Sequence, residues 1–187
     1  GRRIKIMDIS MFTNIFSSFV YDTTLDLDNK DIIKVCKQEL LNPSDHNQVD
    51  LPKYNSLEPL IQKVHDHVKL VSRQIGYNEK VKPVCVKSWI NRNNAKEIIK
   101  PHLHPNVQLA CVYYALADKN VDKIEFLNPV QQIPYIIQSK NIINWNEYNS
   151  VTWAVEPSTN KLIIFPAWLL HYAVGKNISE RISIAFN

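Results

Sequence analysis

Apolar positions in the first eighty residues recur at helical spacing in two segments. Asp28–Asn42 carries apolar side chains near a 3.6-residue period, at positions 32, 33, 35, 36, 40 and 41. Ser56–Gly76 opens with a serine and an early proline and ends in glycine, which are typical start and stop signals of a helix. Between them, "PSDHNQVDLPKYN" has the composition of a loop. The pattern therefore predicts two N-terminal helices.

The pattern changes after Gly76, where short runs rich in β-branched and aromatic residues alternate with Asn, Pro and charged residues. About eight runs fit strands: "PVCVKSWIN", "EIIKPHLH", "QLACVYYALA", "DKIEFLN", "SVTWAVEP", "KLIIFPA", "HYAVG" and "RISIAFN". Such a series predicts an antiparallel sandwich or jelly-roll barrel. The longest interruption, Pro129–Asn149, is a candidate lid or insertion. We therefore predict an α+β fold in which the N-terminal helices buttress a double-stranded β-helix.

Length and composition are those of an ordinary globular chain. The 187 residues are 45% hydrophobic and 21% charged, and the longest apolar runs are broken well before membrane-spanning length. We expect one domain over residues 1–187, with helical support in 1–80 and the barrel in 81–187. A formal net charge of +4 with scattered lysines indicates neither a nucleic-acid nor a membrane partner. Three separated cysteines without a CxxC motif, and no apolar leader, predict free thiols and a cytoplasmic location.

Two histidines one residue apart, His102 and His104, begin the run "HLHPNVQLACVYYAL". Residues i and i+2 of a strand share a face, so the two imidazoles would form a natural chelate. The pair alone fits partly exposed strand residues or hydrogen-bonded core histidines just as well. His171 is the candidate third ligand, because it stands between two apolar runs, where an imidazole needs a partner or stays neutral. The remaining histidines, at positions 46, 65 and 67, fit surface or packing roles.

An arginine, Arg181, follows His171 by ten residues. In "ERISIAFN", Arg181 and Ser183 share one face of a predicted strand, opposite Ile182, Ile184 and Phe186. The alternation leaves open whether Arg181 points into the barrel mouth or into solvent. Inside the barrel, its guanidinium would need an anionic partner, and its fork fits a carboxylate.

These motifs, in this order, resemble the Fe(II)/2-oxoglutarate-dependent oxygenases. In that superfamily an HxD or HxE pair opens the double-stranded β-helix, a distal His follows, and an Arg about ten residues beyond binds the co-substrate. More narrowly, "PHLHPNVQLACVYYAL", "LIIFPAWLLHYAVGKN" and "RISIAFN" resemble a family of 2-oxoglutarate/Fe(II) oxygenases found in bacteria and phages. The resemblance covers roughly Val84 to the C-terminus.

The resemblance implies a dioxygenase that hydroxylates a substrate with O2 and releases succinate and CO2 from 2-oxoglutarate. His102, His104 and His171 would be its Fe(II) ligands and catalytic centre, and Arg181 with Ser183 would bind the distal carboxylate of 2-oxoglutarate. Other candidates for that co-substrate are one of two adjacent tyrosines and two asparagines near strand ends, namely Tyr113, Tyr114, Asn91 and Asn106. Asn106 and Asn91 also fit turn formation.

One position departs from the superfamily pattern, because His104 replaces the usual carboxylate ligand. Either His104 binds iron in its place, or it stands behind iron held by His102, His171 and water. Neutral imidazole leaves Fe(II) more positive, which favours the dianionic 2-oxoglutarate.

Two other functions fit parts of the pattern. A cupin would explain the HxH pair and the distal histidine, but the glutamate expected after the second histidine is Gln108, and Arg181 would have no role. A non-catalytic β-sandwich would need only the fold. The sequence leaves the substrate, the role of 129–149 and the oligomeric state open, with a homodimer among the possibilities. For the oxygenase, the resemblance implies a bacterial or phage-infected cell.

Overall fold

The predicted strands after Gly76 are all present, and one strand precedes them. In the computed structural model, residues 13–41, 49–93, 99–130, 139–175 and 180–187 are described. Strands are β1 (Tyr21–Thr24), β2 (Ser88–Asn93), β3 (Ile99–His102), β4 (Leu109–Leu116), β5 (Asp122–Leu127), β6 (Thr152–Val155), β7 (Lys161–Pro166), β8 (His171–Gly175) and β9 (Arg181–Phe186). Helices are α1 (Lys30–Glu39) and α2 (Glu58–Gln74), with 3-10 turns at Leu51–Lys53, Asn55–Leu57 and Ser139–Asn141.

The strands form two antiparallel sheets packed face to face. The larger sheet has the order β1-β7-β4-β9-β2, and the smaller has the order β3-β8-β5-β6. Consecutive strands fall mostly in different sheets, as in a jelly roll, so the chain crosses repeatedly from one layer to the other. The predicted α+β fold with a double-stranded β-helix is confirmed.

The two helices cover the outer face of the larger sheet. Ile32 and Val35 of α1 and Leu60 and Val64 of α2 are buried in one cluster with apolar strand residues such as Ile184. The inner face of the same sheet packs on the smaller sheet through a second cluster that contains Phe126 and Phe165. The larger sheet is therefore buried on both faces, and β9 is buried at all six positions.

Helix α2 ends as its terminal glycine predicts. Gly76 has a φ of 86°, a left-handed conformation that glycine adopts without strain. Its N–H donates to the carbonyl of Arg73 (3.0 Å), and the N–H of Tyr77 donates to that of Ser72 (2.9 Å), which is a Schellman motif. Neither described helix has the length and hydrophobicity that crossing a membrane would require.

Two tryptophans that lie in apolar stretches of the sequence are not part of the core. Trp153 and Trp168 are about half exposed, at 48% and 53%, although apolar neighbours in sequence favour the core for both. Trp153 lies on β6, an edge strand of the smaller sheet, so no strand covers its outer side. Of the candidate lid Pro129–Asn149, residues 131–138 lie outside the described residues.

Candidate metal centre

Three histidines meet at the edge of the sandwich where β3 and β8 pair. His102 and His171 are direct cross-strand partners. Strand β3 ends at His102, so His104 lies in the following loop rather than on the strand, and its N–H donates to the carbonyl of Ala167 (2.9 Å). Ring centroids are 4.3 Å apart for His102 and His171, and 5.1 Å apart for His104 and His171. One nitrogen from each ring lies within 4.8 Å of the others.

Hydrogen bonds to backbone carbonyls fix the tautomers of two rings. Nδ1 of His171 donates to the carbonyl of Leu169 (2.9 Å), and Nδ1 of His102 donates to that of Lys100 (2.8 Å). In a neutral imidazole the opposite nitrogen, Nε2, then carries the free lone pair. Burial lowers the pKa of His171 to about 4, with the neighbouring imidazoles adding to the effect, so this ring is neutral at pH 7. Such an imidazole is ready to bind a metal.

His104 has a different partner, the side chain of Asn187. Nδ2 of Asn187 lies 3.2 Å from Nδ1 of His104, while Oδ1 of Asn187 is buried and has no hydrogen-bond partner in the described part of the chain. Turning the amide by 180° exchanges the two atoms, so Oδ1 accepts from Nδ1–H and Nε2 of His104 becomes free for a metal. Burial also lowers the pKa of His104 to about 4. Nε2 of His104 lies 3.3 Å from Nε2 of His171.

The separation of these nitrogens fits a common metal ion. Two nitrogens bound to one ion at about 2.0–2.1 Å lie roughly 3 Å apart when their bonds meet near a right angle. Once the Nδ1 atoms of His104 and His171 are both protonated, the two Nε2 atoms, 3.3 Å apart, present lone pairs with no proton between them. A cation bound to both nitrogens satisfies both lone pairs. The three histidines therefore fit a facial metal site.

A polar row on the larger sheet faces the three histidines. Asn91, Ser183 and Tyr114 are consecutive cross-strand partners on β2, β9 and β4, so their side chains share the inner face. They line a cavity of about 410 Å³ together with the three histidines and Arg181. Burial raises the pKa of Tyr114 to about 12, partly offset by the nearby charge of Arg181, so its hydroxyl stays protonated and can donate.

Arg181 reaches this cavity with an unsatisfied guanidinium. The residue is only 3% exposed, and both Nη1 and Nη2 are buried without a hydrogen-bond partner among the described residues. An ion pair joins Nη1 to Oδ1 of Asp122 at 3.6 Å, across the gap between the sheets. Asp122 is equally buried, and its other oxygen accepts from the N–H of Asp118 (2.9 Å). Because a buried guanidinium without hydrogen bonds is costly, the fork fits an anion that enters the cavity.

The sequence model of one protein family, described as "Putative 2OG-Fe(II) oxygenase", matches residues 87–187, more than half of the chain. The chain belongs to this oxygenase family. The matched region holds the three histidines and Arg181. The fold, the enzyme class and the dependence on iron and 2-oxoglutarate predicted from the motifs are thereby confirmed. No curated protein sequence matches the oxygenase significantly.

Solved structures share the fold of this oxygenase at low identity. A prolyl-4-hydroxylase from Pseudomonas putida is 11% identical, with a TM-score of 0.61, 91% of this chain covered and 86% of that one. The epimerase SnoN, in complex with Fe3+, alpha ketoglutarate and nogalamycin RO, is 11% identical, with a TM-score of 0.58 and coverages of 89% and 77%. An oxidoreductase of the 2OG-Fe(II) oxygenase family from Burkholderia pseudomallei is 12% identical, with a TM-score of 0.50 and coverages of 69% and 55%. The oxygenase thus spans only about half the length of the last of these.

Two residues suggested by the motifs lie outside the cavity of the oxygenase. Tyr113 points to the opposite face of the larger sheet, where its hydroxyl donates to Oδ1 of Asn160 (2.8 Å) and also contacts Asn29. Asn106 is exposed, has a φ of 64°, and lines a groove beside α2 instead. It is the turn-forming asparagine of the alternative interpretation. Both leave the set of candidate co-substrate ligands.

Two of the remaining histidines, His65 and His67, lie apart from the three histidines of the centre. Nδ1 of His67 lies 2.7 Å from the hydroxyl of Tyr21, and His65 lines the groove beside α2. His46 lies outside the described residues. Gln108 of the cupin hypothesis is exposed.

Sequence reasoning missed four residues that shape the site. Asn187 contacts His104, Asp122 pairs with Arg181, and Lys87 and Lys100 line the cavity. Asp122 opens a predicted strand as a charged residue, and Lys87, Trp89 and Asn91 alternate on another, which are signals in the sequence. Neither signal says which partner lies opposite.

Proposed function

We propose that this oxygenase hydroxylates a C–H bond of its substrate with O2 while 2-oxoglutarate is converted to succinate and CO2. The metal would be held by His102, His104 and His171, and 2-oxoglutarate by Arg181, Ser183, Tyr114 and Asn91. One observation carries the assignment: three histidines with converging nitrogens share a cavity with a buried, unsatisfied arginine. Bound Fe(II) supplies the redox chemistry that couples decarboxylation of 2-oxoglutarate to oxidation of the substrate.

The chain's own residues bind and orient in this scheme. Arg181 donates to the distal carboxylate of 2-oxoglutarate through Nη1 and Nη2, which have no other hydrogen-bond acceptor among the described residues. Tyr114 and Ser183 add hydroxyl donors from the same sheet face. Apolar side chains around them, including Val112, Ile124 and Ala173, exclude water and so strengthen these contacts.

His104 acts as the third ligand in this proposal. Its Nε2 points at that of His171, and Asn187 accepts from its Nδ1 after the amide turns. A neutral ligand in place of a carboxylate leaves one more positive charge on the centre. That charge favours binding of the dianionic co-substrate.

The decisive experiment is anaerobic addition of Fe(II) and then 2-oxoglutarate, with the weak visible charge-transfer band of the chelate as readout. We expect a saturable band in the wild-type protein and none in His171→Ala. Arg181→Ala should weaken 2-oxoglutarate by about 10- to 100-fold, the usual weight of a hydrogen-bonded charge pair. Arg181→Lys keeps the positive charge but lacks the two-pronged guanidinium. It replaces the alanine variant in this titration if that variant does not fold.

The control is Arg73→Ala, because Arg73 pairs with Glu79 on the surface of α2. It should leave the titration unchanged. Metal binding without any band, and without an effect of Arg181 substitutions, would favour a cupin-like metal protein. A succinate-release screen across substrate classes, with His171→Ala as blank, then identifies the substrate.

We also propose that the protein works in a reducing cytoplasm. The proposal is supported by its three cysteines, Cys36, Cys85 and Cys111, which are all free thiols.

A further inference from the structure

The charged side chains described around the mouth of the cavity are all basic. The lining residues include Lys87 and Lys100 besides Arg181, and no aspartate or glutamate among the described residues lines it. Both lysines are exposed, and neither has an ion-pair partner in the described part of the chain. Within the described ranges, the mouth therefore holds two cations without a counter-charge.

Contacts tie both lysines to the histidine cluster. The ammonium of Lys87 lies 5.6 Å from the centroid of the Trp89 ring, and that ring lies 5.6 Å from His104. The carbonyl of Lys100 accepts the hydrogen bond from His102. Both lysines therefore line the cavity that holds the three histidines.

The co-substrate does not account for these two charges. A divalent metal on three neutral imidazoles and the guanidinium of Arg181 carry three positive charges. The two carboxylates of 2-oxoglutarate and the buried Asp122 balance them. Lys87 and Lys100, which are exposed and line the same cavity, remain.

We propose that the substrate of this oxygenase is an anion whose carboxylate or phosphate binds Lys87 and Lys100. The inference rests on the proposed function, since it needs 2-oxoglutarate at Arg181. Trp89 holds Lys87 at the mouth through its ring face, which keeps the ammonium near the metal centre. Neutral analogues of the substrate would lose these contacts.

The test uses benzoate and benzamide, which are nearly equal in shape and differ in charge. Both are added to protein loaded with Mn(II) and saturating 2-oxoglutarate, and relaxation of their ring protons by Mn(II) reports binding near the histidines. We expect benzoate to bind about tenfold more tightly than benzamide. Lys87→Gln and Lys100→Gln should each weaken benzoate by about three- to fivefold, the usual weight of a partly exposed ion pair.

Matched variants show whether a loss of benzoate binding is due to the lost charge of the lysine or to another effect of the substitution. Lys34→Gln removes an exposed lysine of α1 and should change nothing, and Lys87→Arg should retain benzoate binding. Equal binding of the two probes, or benzoate binding unchanged in both glutamine variants, would overturn the inference. So would glutamine variants that weaken 2-oxoglutarate instead of benzoate, because the lysines would then serve the co-substrate.

The visible band of the same proteins, loaded with Fe(II) and 2-oxoglutarate instead of Mn(II), distinguishes failure of this inference from failure of the proposed function. A normal band with no preference for benzoate overturns only the substrate class. A missing wild-type band overturns the proposed function and this inference with it.

Discussion

At the scale of single residues, two adjacent tyrosines have opposite roles. Tyr114 lines the cavity, whereas Tyr113 points to the helices and hydrogen-bonds to Asn160. Adjacent residues in a strand always face opposite ways, so the sequence predicts that only one enters the barrel. Which one does so depends on the face that the helices cover.

Phenylalanine substitutions test this difference. Tyr113→Phe should lower the free energy of unfolding by about 1–2 kcal/mol, because it leaves buried polar partners unsatisfied, and should not affect 2-oxoglutarate. Tyr114→Phe should weaken 2-oxoglutarate by about fivefold, the weight of one hydrogen bond. Urea unfolding and anaerobic titration measure the two effects. Equal losses of 2-oxoglutarate affinity would contradict the assignment of faces.

The cysteines give a second prediction at this scale. Burial raises the pKa of the Cys36 and Cys111 thiols to about 12, so the reactive thiolate is nearly absent at pH 8. Cys85 is exposed, although burial of part of its side chain raises its pKa as well. A thiol reagent at pH 8 should therefore modify one cysteine in the native protein and three in denaturant. Fast reaction of two or more native thiols would contradict the packing of β4 and α1.

At the scale of elements, pairing of strands assembles the site. The row Asn91, Ser183 and Tyr114 comes from three strands of the larger sheet, and the pair His102 and His171 from two strands of the smaller one. The ion pair of Asp122 on β5 with Arg181 on β9 joins the two sheets. Each sheet thus contributes one half of the cavity.

Asp122→Asn tests this bridge between the sheets. Asparagine can still accept from the N–H of Asp118, but it leaves the buried Arg181 without its counter-charge. Breaking a buried ion pair costs about 3–5 kcal/mol, so the ligand-free variant should unfold at clearly lower urea concentration. Because 2-oxoglutarate then supplies the missing anion, it should stabilise this variant more than it stabilises the wild type.

Thermal unfolding with and without metal and 2-oxoglutarate measures the comparison. Asp118→Asn, at a half-buried neighbouring position, is the control and should behave as wild type in its response to 2-oxoglutarate. A smaller ligand-induced shift in Asp122→Asn than in wild type would show that Asp122 does not share Arg181 with the co-substrate.

At the scale of the whole molecule, ligand binding should stabilise the fold. The three histidines are brought together only in the folded chain, so a metal that binds them favours the native state. At one hundred times its Kd, a ligand adds about 2.7 kcal/mol. For a chain of this size, we expect Mn(II) to raise Tm by about 5–10 °C, and 2-oxoglutarate to raise it further.

Histidine variants check that this stabilisation comes from the proposed site. His171→Ala should lose the metal-induced shift, and His65→Ala on α2 should keep it. An equal metal-induced shift in wild type and His171→Ala would place the metal elsewhere.

Local pattern predicted most of the fold. The eight strands after Gly76 and the two helices follow from short-range periodicity and turn residues, which need only neighbours in sequence. Strand β1 was not predicted, because Tyr21–Thr24 is only four residues long, lies at a sheet edge and alternates between half-buried and exposed positions. Asn106 and Asn91 looked alike in sequence, and only their tertiary neighbours separate them.

The sequence by itself determined which chemical groups are available and in what order: an HxH pair, a distal histidine and an arginine ten residues beyond. Tertiary structure alone decided that Tyr114 rather than Tyr113 enters the cavity, that Arg181 points inward, and that Asp122 and Asn187 lie beside the functional groups. The physical reason is distance along the chain. Facing and burial depend on distant partners, such as Asp122 for Arg181 and His104 for Asn187, across strands and sheets, and no local pattern encodes them.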